Sequence, residues 1–337
     1  MERRGRRLRP WPDLAGHRLS VPRISILIPT RNRAAYLAGA LSSARAQDLP
    51  DVEIIVSDNA STDGTSALLA GLADPRVRTV RQEQDLGMVG NWNACLALAR
   101  GDLVLVLSDD DELYPHAART LAAAMNDAGA ILAYGLVDVV DDSDRWLRRS
   151  PAGPARERGA DFVRGRLLFG ACREPHLCAT VFRRSTLLEL GGFPEVGNLS
   201  DLTVEVRLGA HLAGEVLCVP EALGRYRHHG GSLTADPRRA LGGFGAVREH
   251  LLADPAVPAA AVRHYAATGL WSFLVWRKVG VGVGAARGLG DLRLAASAGL
   301  PWRRRIPALG LVLVPRPLLL GLRWAYRRMR GRNRHAL

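Results

Sequence analysis

The sequence predicts an α/β fold: a mostly parallel, Rossmann-like sheet with helices on both faces, followed by a C-terminal helical appendage. Short apolar runs at residues 24–28, 52–56 and 103–107 alternate with stretches whose apolar residues recur at helical spacing. The run 103–107 contains no polar residue, as is typical of a central strand covered on both faces. A chain of 337 residues, 47% of them hydrophobic, is long for a single domain, so a main domain with an appendage is expected.

The elements follow one another in a regular order. The first strand, residues 24–28, ends in a Pro-Thr-Arg-Asn turn and precedes apolar residues at helical spacing from Tyr36 to Ala44. The second strand, residues 52–56, ends in a run of turn and N-cap residues before the next helix. A third strand is predicted at residues 76–80, and a helix at 91–99 leads into the strand 103–107. Strands joined by helices in this way form parallel sheets.

The strand 103–107 runs almost directly into three consecutive carboxylates, Asp109, Asp110 and Asp111. Because three adjacent like charges repel one another, their arrangement indicates a cation among them. Carboxylate oxygens suit Mg²⁺ or Mn²⁺, and ligands of open α/β sheets bind beyond the carboxyl ends of the strands. The alternative interpretation is a solvated acidic turn that caps the helix after Pro115.

Four segments together resemble the inverting family 2 glycosyltransferases of GT-A fold: residues 26–33, residues 56–65, Asn93 with Gly101, and residues 107–115. Later matches extend the resemblance to about residue 235. The resemblance implies a nucleotide-binding GT-A sheet. The chain would then consist of four parts: a basic tail at 1–21, a nucleotide-sugar-binding half of the domain at 22–120, an acceptor-binding half at 121–235, and a helical, basic region at 236–337.

The resemblance also implies where a sugar nucleotide would bind. The donor-binding residues would be Pro29, Thr30, Arg31, Asp58, Asn59, Asn93 and Asp109, and the metal ligands would be Asp110, Asp111 and His229. Ser108 and Asn59 depart from the family pattern, because many relatives have aspartate at both positions. Simpler interpretations are an Asx turn for Asp58 and an exposed loop position for His229.

Asp201 matches the family's catalytic base, and Glu205, on the same helical face, is the fallback. A carboxylate is needed because an alcohol is a poor nucleophile until a base takes its proton. Ser200 stands where relatives often carry glutamate. The alternative is that Asp201 is only an acidic residue in a first helical turn, stabilised by the helix dipole.

The net charge of +13 is concentrated at the two ends of the chain. Residues 1–23 carry seven Arg and two acidic residues, and residues 301–337 carry ten Arg and none. Basic tails favour an anionic membrane surface over nucleic acid as a partner. The apolar stretch 306–322, flanked by Arg and aromatic residues, predicts an interfacial or re-entrant segment rather than a membrane span; the alternative is an ordinary packed appendage.

Cysteine usage and the N-terminus predict a cytoplasmic location. The four cysteines have no metal-ligand spacing, which favours reduced thiols, and no apolar segment follows the Arg-rich start as it would in a secretory signal. The protein is therefore predicted to be cytoplasmic, either free or bound peripherally to the cytoplasmic face of the cell membrane.

The predicted activity is a metal-dependent, inverting transfer of a sugar, of the hexosyltransferase type, from a nucleotide-diphosphate donor to an acceptor hydroxyl. The acceptor would be a saccharide or a lipid-linked intermediate of cell-envelope polysaccharide or another glycoconjugate. A sugar-phosphate nucleotidyltransferase is a competing interpretation, although residues 29–33 lack its Gly-rich phosphate loop. A catalytically silent nucleotide-binding protein is another, because Ser108 and Ser200 replace carboxylates of the family pattern.

Overall fold

A computed structural model describes residues 23–168, 175–229, 237–275, 289, 292 and 302–313 of the chain. The strands are β1 (Ile24–Thr30), β2 (Val52–Asp58), β3 (Val77–Arg81), β4 (Leu103–Val106), β5 (Glu112–Leu113), β6 (Ala130–Val140), β7 (Trp146–Arg149), β8 (Arg156–Arg158), β9 (Thr180–Arg183) and β10 (Glu215–Arg227). The helices are α1 (Ala34–Arg45), α2 (Thr65–Ala70), α3 (Gly87–Leu98), α4 (Ala117–Ala124), α5 (Gly159–Leu168), α6 (Arg184–Glu189), α7 (Ser200–His211), α8 (Pro237–Leu252), α9 (Ala259–Val275) and α10 (Trp302–Leu313). The predicted tail at 1–21 lies outside the described residues.

One mixed sheet organises the domain, with the strand order β3-β2-β1-β4-β9-β6-β10-β5. The first four of these strands are parallel, and β10 is parallel to β6. β9 is antiparallel to both β4 and β6, between which it lies, and β5 is antiparallel to β10. The prediction of a mostly parallel sheet is confirmed.

Helices cover both faces of this sheet, as the apolar strands predicted. Side chains alternate between two core clusters along β4, with Leu103 and Leu105 in one and Val104 and Val106 in the other. The first cluster packs against α1 and α4, and the second against α3 and α7. Because both faces are buried, these strands need apolar residues at every position.

The helical C-terminal region begins with α8 and α9, which pack on the main domain. Together with α5 and α7 they form a third apolar cluster that includes Val206, Val247 and Val262. A second apolar stretch of the sequence, residues 265–283, begins within α9, and residues 276–283 lie outside the described part. Among the described residues, no helix combines the length and apolarity needed to cross a bilayer.

The predicted division at residue 120 falls within α4, and strands from both sides of this division belong to one continuous sheet. β9 comes from the predicted acceptor half, yet it pairs with β4 of the donor half, and the cores on both faces contain residues from the two halves. The two halves therefore share one core, and their separation as functional regions stays a prediction.

Candidate active site

The candidate site lies at the carboxyl edge of the parallel strands. Register places Thr30, the last residue of β1, beside Asp58, the last residue of β2. β4 ends on the other side of β1, and the Thr30 hydroxyl donates a hydrogen bond of 2.7 Å to Oδ2 of Asp109. Because parallel strands end at a common edge, three separate segments deliver polar side chains to one place.

Asp58 is buried, and both of its carboxylate oxygens accept hydrogen bonds from the protein. Its Oδ1 accepts from the backbone N–H of Ser61 at 2.9 Å, and its Oδ2 accepts from the Ser66 hydroxyl at 3.0 Å and from Arg81 at 2.5 Å. Burial opposes ionisation, but these hydrogen bonds and the Arg81 guanidinium outweigh it and lower the pKa of Asp58. The bond to Ser61 spans three residues instead of the two of an Asx turn, so it differs from that simpler interpretation, although it does hold the turn before α2.

Asn59 organises the loop before α3. Its Nδ2 donates to Oδ1 of Asp85 at 2.7 Å, and its Oδ1 accepts from the backbone N–H of Leu86 at 2.8 Å. Arg31 pairs with the other oxygen of Asp85 at 2.7 Å. The turns after β1 and β2 are thus tied through one carboxylate, while Pro29 lies half-buried beside them.

The three consecutive carboxylates have separate surroundings. Burial and the neighbouring Asp110 charge raise the pKa of Asp109 to about 6, against the effects of the Thr30 hydrogen bond and Arg33. Asp111 is 2% exposed, and its Oδ1 accepts from the backbone N–H of Arg227 at 2.9 Å. Burial and the Asp110 charge also raise the pKa of Asp111. Asp110 is the most exposed of the three, and its Oδ2 pairs with Arg33.

Two side chains from distant parts of the chain converge on Asp110. Nη1 of Arg33 lies 2.7 Å from its Oδ2, and Nε2 of His229 lies 2.9 Å from the same oxygen. The imidazole stacks on the ring of Tyr36, with 5.2 Å between ring centroids. The structure therefore brings together Asp110 and His229, two of the three predicted metal ligands, and places the carboxylate of Asp111 against the backbone of β10.

One carboxylate and one imidazole at Asp110 and His229 would suit a divalent cation only if the cation took its remaining ligands elsewhere. Within the described residues, no cluster of three or more His, Cys, Asp or Glu side chains has the geometry to hold a metal. Mg²⁺ usually binds one or two protein ligands together with phosphate oxygens and water. The Arg33 guanidinium already stands at the same oxygen as a positive charge, which indicates that this position attracts cations.

Asn93 holds a tight turn on the far side of α3. Its amide donates to the carbonyl of Phe193 at 2.9 Å and accepts from the Phe193 N–H at 2.9 Å. The adjacent Gly192 has φ of +79°, and a Cβ there would lie 2.5 Å from Oδ1 of Asn93. This packing role was not predicted for Asn93, whose expected role was donor binding.

Asp201 and Glu205 lie one turn apart on α7, with a shared arginine that the sequence analysis missed. Arg166 of α5 pairs with Oε2 of the fully buried Glu205 at 2.6 Å, and its charge also acts on Asp201. Burial, opposed by Arg166, raises the pKa of Glu205 to about 7, and burial also raises the pKa of the half-buried Asp201. Oε1 of Glu205 has no hydrogen-bond partner among the described residues.

Tyr226 of β10 is half-buried and precedes Arg227, whose backbone N–H donates to Oδ1 of Asp111 at 2.9 Å. Burial raises the pKa of the Tyr226 phenol, and the charges of Asp111, Asp110 and Asp201 raise it further. The acidic triplet and Asp201 thus both act on this phenol, although separate strands and helices carry them.

The site also contains residues that the predictions did not include. Arg33 and Arg81 stand in the turn and strand segments next to predicted site residues, so their positions beside carboxylates were a usable signal. Arg166 had no such signal, because α5 carries no recognisable motif. Ser200 is buried, and its hydroxyl contacts the carbonyl oxygens of Pro194 and Gly197 instead of facing the site.

Comparison with known proteins was consistent with this geometry. Residues 25–191 match the family described as Glycosyl transferase family 2. An uncharacterised protein of Mycobacterium tuberculosis, MT1568, is 32% identical over 297 residues, 84% of this chain and 91% of that protein. The GalNAc(5)-diNAcBac-PP-undecaprenol beta-1,3-glucosyltransferase of Campylobacter jejuni is 39% identical over 113 residues, 33% of this chain and 37% of that enzyme.

Two solved structures share the fold. TarS of S. aureus in complex with UDP-GlcNAc superposes with a TM-score of 0.63 and 18% identity, over 85% of this chain and 83% of that one. The mannosyltransferase PcManGT of Pyrobaculum calidifontis, in complex with GDP-Man and Mn²⁺, gives 0.57 and 21%, over 94% and 84%. The sheet order, the acidic edge of β4 and these similarities together show that the chain belongs to glycosyl transferase family 2 and has the GT-A fold.

Proposed function

We propose that this family 2 glycosyltransferase transfers a sugar, with inversion, from a nucleotide-diphosphate donor to an acceptor hydroxyl, and that it uses Mg²⁺ or Mn²⁺. The observation that supports the proposal is a pair of separate carboxylates: Asp110, on which Arg33 and His229 converge, and Asp201, whose charge acts with that of Asp110 on Tyr226. Inversion follows from direct displacement, because the activated hydroxyl attacks on the face opposite the leaving nucleotide.

On the donor side, we assign nucleoside contacts to Pro29, Thr30 and Asp58, with Arg31, Asn59 and Asp109 nearby. Asp110 and His229 would hold the metal, and Asp111 would act through its hold on β10. When bound, the cation offsets the charge on the diphosphate leaving group. PcManGT, which has the same fold, was solved with GDP-Man and Mn²⁺, which supports both parts of this assignment.

On the acceptor side, we assign the base to Asp201. Burial raises the pKa of its carboxyl, and a base is more effective when its pKa approaches the working pH. Arg166 keeps Glu205 beside it in place, and Asn93 fixes the turn that precedes α7. Glu205 is the alternative base, although its side chain is fully buried.

The proposed activity is tested by donor screening. The chain is incubated with UDP-, GDP- and dTDP-sugars with Mn²⁺ or Mg²⁺, and its thermal unfolding is followed. A donor present at 100 times its dissociation constant should stabilise the fold by about 2.7 kcal/mol. The stabilising donor is then offered with candidate acceptors, and nucleotide release and the anomeric configuration of the product are measured. Stabilisation without release of nucleotide would support the silent nucleotide-binding protein instead.

We also propose that the enzyme works at an anionic membrane surface. The helix α10 exposes an apolar stripe at helical spacing, with 67% of Trp302, 72% of Ile306, 41% of Leu309 and 54% of Leu313 in contact with solvent. Arg303 and Arg305 are exposed on the same helix, and residues 301–337 contain no acidic residue. Helices that combine an apolar stripe with arginines bind membrane interfaces.

A membrane location would give access to a lipid-linked acceptor. The Campylobacter jejuni relative is named as an enzyme that acts on an undecaprenol-linked saccharide, which supports this choice of acceptor. The predicted interfacial segment, residues 306–322, begins within α10, and its part from residue 314 lies outside the described residues.

The membrane proposal predicts a loss of vesicle binding in a Trp302→Ser/Leu309→Ser variant. Because both side chains would leave the bilayer interface, binding to vesicles that contain phosphatidylglycerol should fall on the order of tenfold. Co-sedimentation measures the bound fraction. The matched control is Trp146→Ser/Leu147→Ser on β7, where the same residue types are 60% and 41% exposed. Equal binding by the two double variants would contradict the proposal.

A further inference from the structure

One arginine occupies the position at which the proposed metal site would bind its cation. Nη1 of Arg33 lies 2.7 Å from Oδ2 of Asp110 and 3.1 Å from Nε2 of His229. Its Nε lies 4.0 Å from an oxygen of Asp109. The guanidinium therefore contacts both groups to which a metal role has been assigned, and it carries the charge that would otherwise be missing among the carboxylates.

Arg227, which also lies near Asp110, has different partners. Arg227 donates to the backbone oxygens of Asp110 and Asp141 at 3.2 Å each, and to Oδ1 of Asp144 at 2.7 Å. Its side chain is 8% exposed. Arg227 thus fastens β10 to the loop after β6, whereas Arg33 neutralises the side-chain carboxylate of Asp110.

A divalent cation and the Arg33 guanidinium compete for the same oxygen. Oδ2 of Asp110 already receives Arg33 and His229, and a second cation placed there would lie next to a like charge. Guanidinium groups also bind phosphate well, because their planar fork matches two phosphate oxygens. A donor that arrives with its cation would therefore do two things. The cation would displace Arg33 from Asp110, and the phosphate oxygens would give Arg33 a new partner.

We propose that Arg33 is an exchangeable counter-ion: it holds Asp110 and His229 while the site lacks a metal, yields Asp110 to the divalent cation, and then pairs with the donor diphosphate. This inference rests on the proposed function, since it takes the metal site and the diphosphate from it. It adds a coupling between them, because metal binding becomes favourable mainly when a diphosphate is present to receive Arg33.

The local structure allows this exchange without unfolding α1. Arg33 stands at the N-terminal boundary of the helix, where its backbone carbonyl accepts from the N–H groups of Tyr36 and Leu37 at 3.0 and 2.9 Å. Its side chain makes no capping bond and is 22% exposed. The guanidinium also lies 5.8 Å from the centre of the Tyr36 ring.

The test uses Arg33→Gln and two probes, Mn²⁺ alone and pyrophosphate in saturating Mg²⁺. Because the competing charge is gone, the variant should bind Mn²⁺ alone about tenfold more tightly than the wild-type chain, as measured by the electron paramagnetic resonance of free Mn²⁺. It should bind pyrophosphate about tenfold more weakly, as measured by calorimetry, because a phosphate partner has been lost.

Opposite changes in the two affinities distinguish this role from a merely structural one, which would weaken both. Arg45→Gln is the matched control, since Arg45 ends the same helix and pairs with Asp74 at 3.0 Å away from the site; both of its affinities should stay at the wild-type values. Arg33→Lys, which keeps the charge, should lie between the wild type and Arg33→Gln and provides a second measurement if the glutamine variant is unstable.

Unchanged or weaker Mn²⁺ binding by folded Arg33→Gln would overturn the proposal, and so would unchanged pyrophosphate binding. Neither measurement requires sugar transfer. A chain that shows the opposite changes but releases no nucleotide from any donor would retain the counter-ion role and lose the proposed function. The two failures are therefore distinguishable.

Discussion

Replacing Asp110 with alanine is expected to abolish metal-dependent nucleotide binding. The change removes the carboxylate on which Arg33 and His229 converge, and Asp109 and Asp111 are too engaged with Thr30 and with the backbone of β10 to replace it. Changes around metal ligands typically cost 10- to 100-fold in affinity, so loss of a ligand should weaken Mn²⁺ binding by about 100-fold or more. Mn²⁺ titration and nucleotide-induced thermal stabilisation measure both effects.

The matched control for this variant is Asp102→Ala. Asp102 precedes the same strand at its opposite end, and its side chain is 67% exposed. It should bind metal and nucleotide like the wild-type chain. Metal binding by Asp110→Ala at wild-type strength would contradict the assignment of the metal site, and thermal unfolding without ligand would show whether the variant is folded.

Replacing Asp201 with asparagine is expected to remove sugar transfer and to leave nucleotide binding intact. Asparagine keeps the shape of the side chain but cannot take a proton from the acceptor, and loss of a general base typically costs 10²- to 10⁴-fold in rate. The fold should tolerate the change, because burial already disfavours the charged form of Asp201. The measurement is kcat for transfer together with the donor dissociation constant.

Two further variants identify the base. Asp161→Asn is the matched control, since Asp161 is an exposed acidic residue in the first turn of α5 that pairs with Arg158. It should leave the rate unchanged. Glu205→Gln should slow sugar transfer only indirectly, because it weakens the contact with Arg166. If Glu205→Gln instead lost transfer while Asp201→Asn remained active, the base would be Glu205.

The pH dependence of transfer has a definite sign. Because burial raises the pKa of Asp201, its unprotonated form becomes populated at a higher pH than that of an exposed aspartate. The transfer rate of the wild-type chain should therefore fall as pH decreases through that raised pKa, over a range in which an exposed aspartate is still ionised. The acid limb of kcat/KM reports this pKa in the free enzyme.

Much of the fold could be predicted because its strands are covered on both faces. The runs that became β1, β2 and β4 are apolar at nearly every position, and each ends in a polar turn at the edge where ligands of such sheets bind. The antiparallel placement of β9 between β4 and β6 was not predicted. The sequence of a short strand does not indicate which strands pair with it, because strand pairing depends on how the whole core assembles.

The candidate site was predicted as a set of residue types but not as a set of contacts. The sequence indicated that Asp110 and His229 belong to one site, and the structure brings them within 2.9 Å. It did not indicate that Asn93 binds the backbone of Phe193, or that Arg166 lies between α5 and α7 beside Glu205. Asn93 and Phe193 are far apart in the chain, so nothing local distinguishes a packed amide from a ligand-binding one.

The sequence by itself determined the alternation of strands and helices as far as β4, the acidic edge after β4, the family, and the concentration of positive charge at the two ends of the chain. These features depend on neighbouring residues, whose apolar spacing, turns and charges act locally. Only the tertiary structure decided which carboxylate of the triplet pairs with an arginine, which arginine that is, and which side of α10 is exposed. Those outcomes depend on side chains from distant segments that compete for the same space and the same partners, and this competition is resolved only when the core is packed.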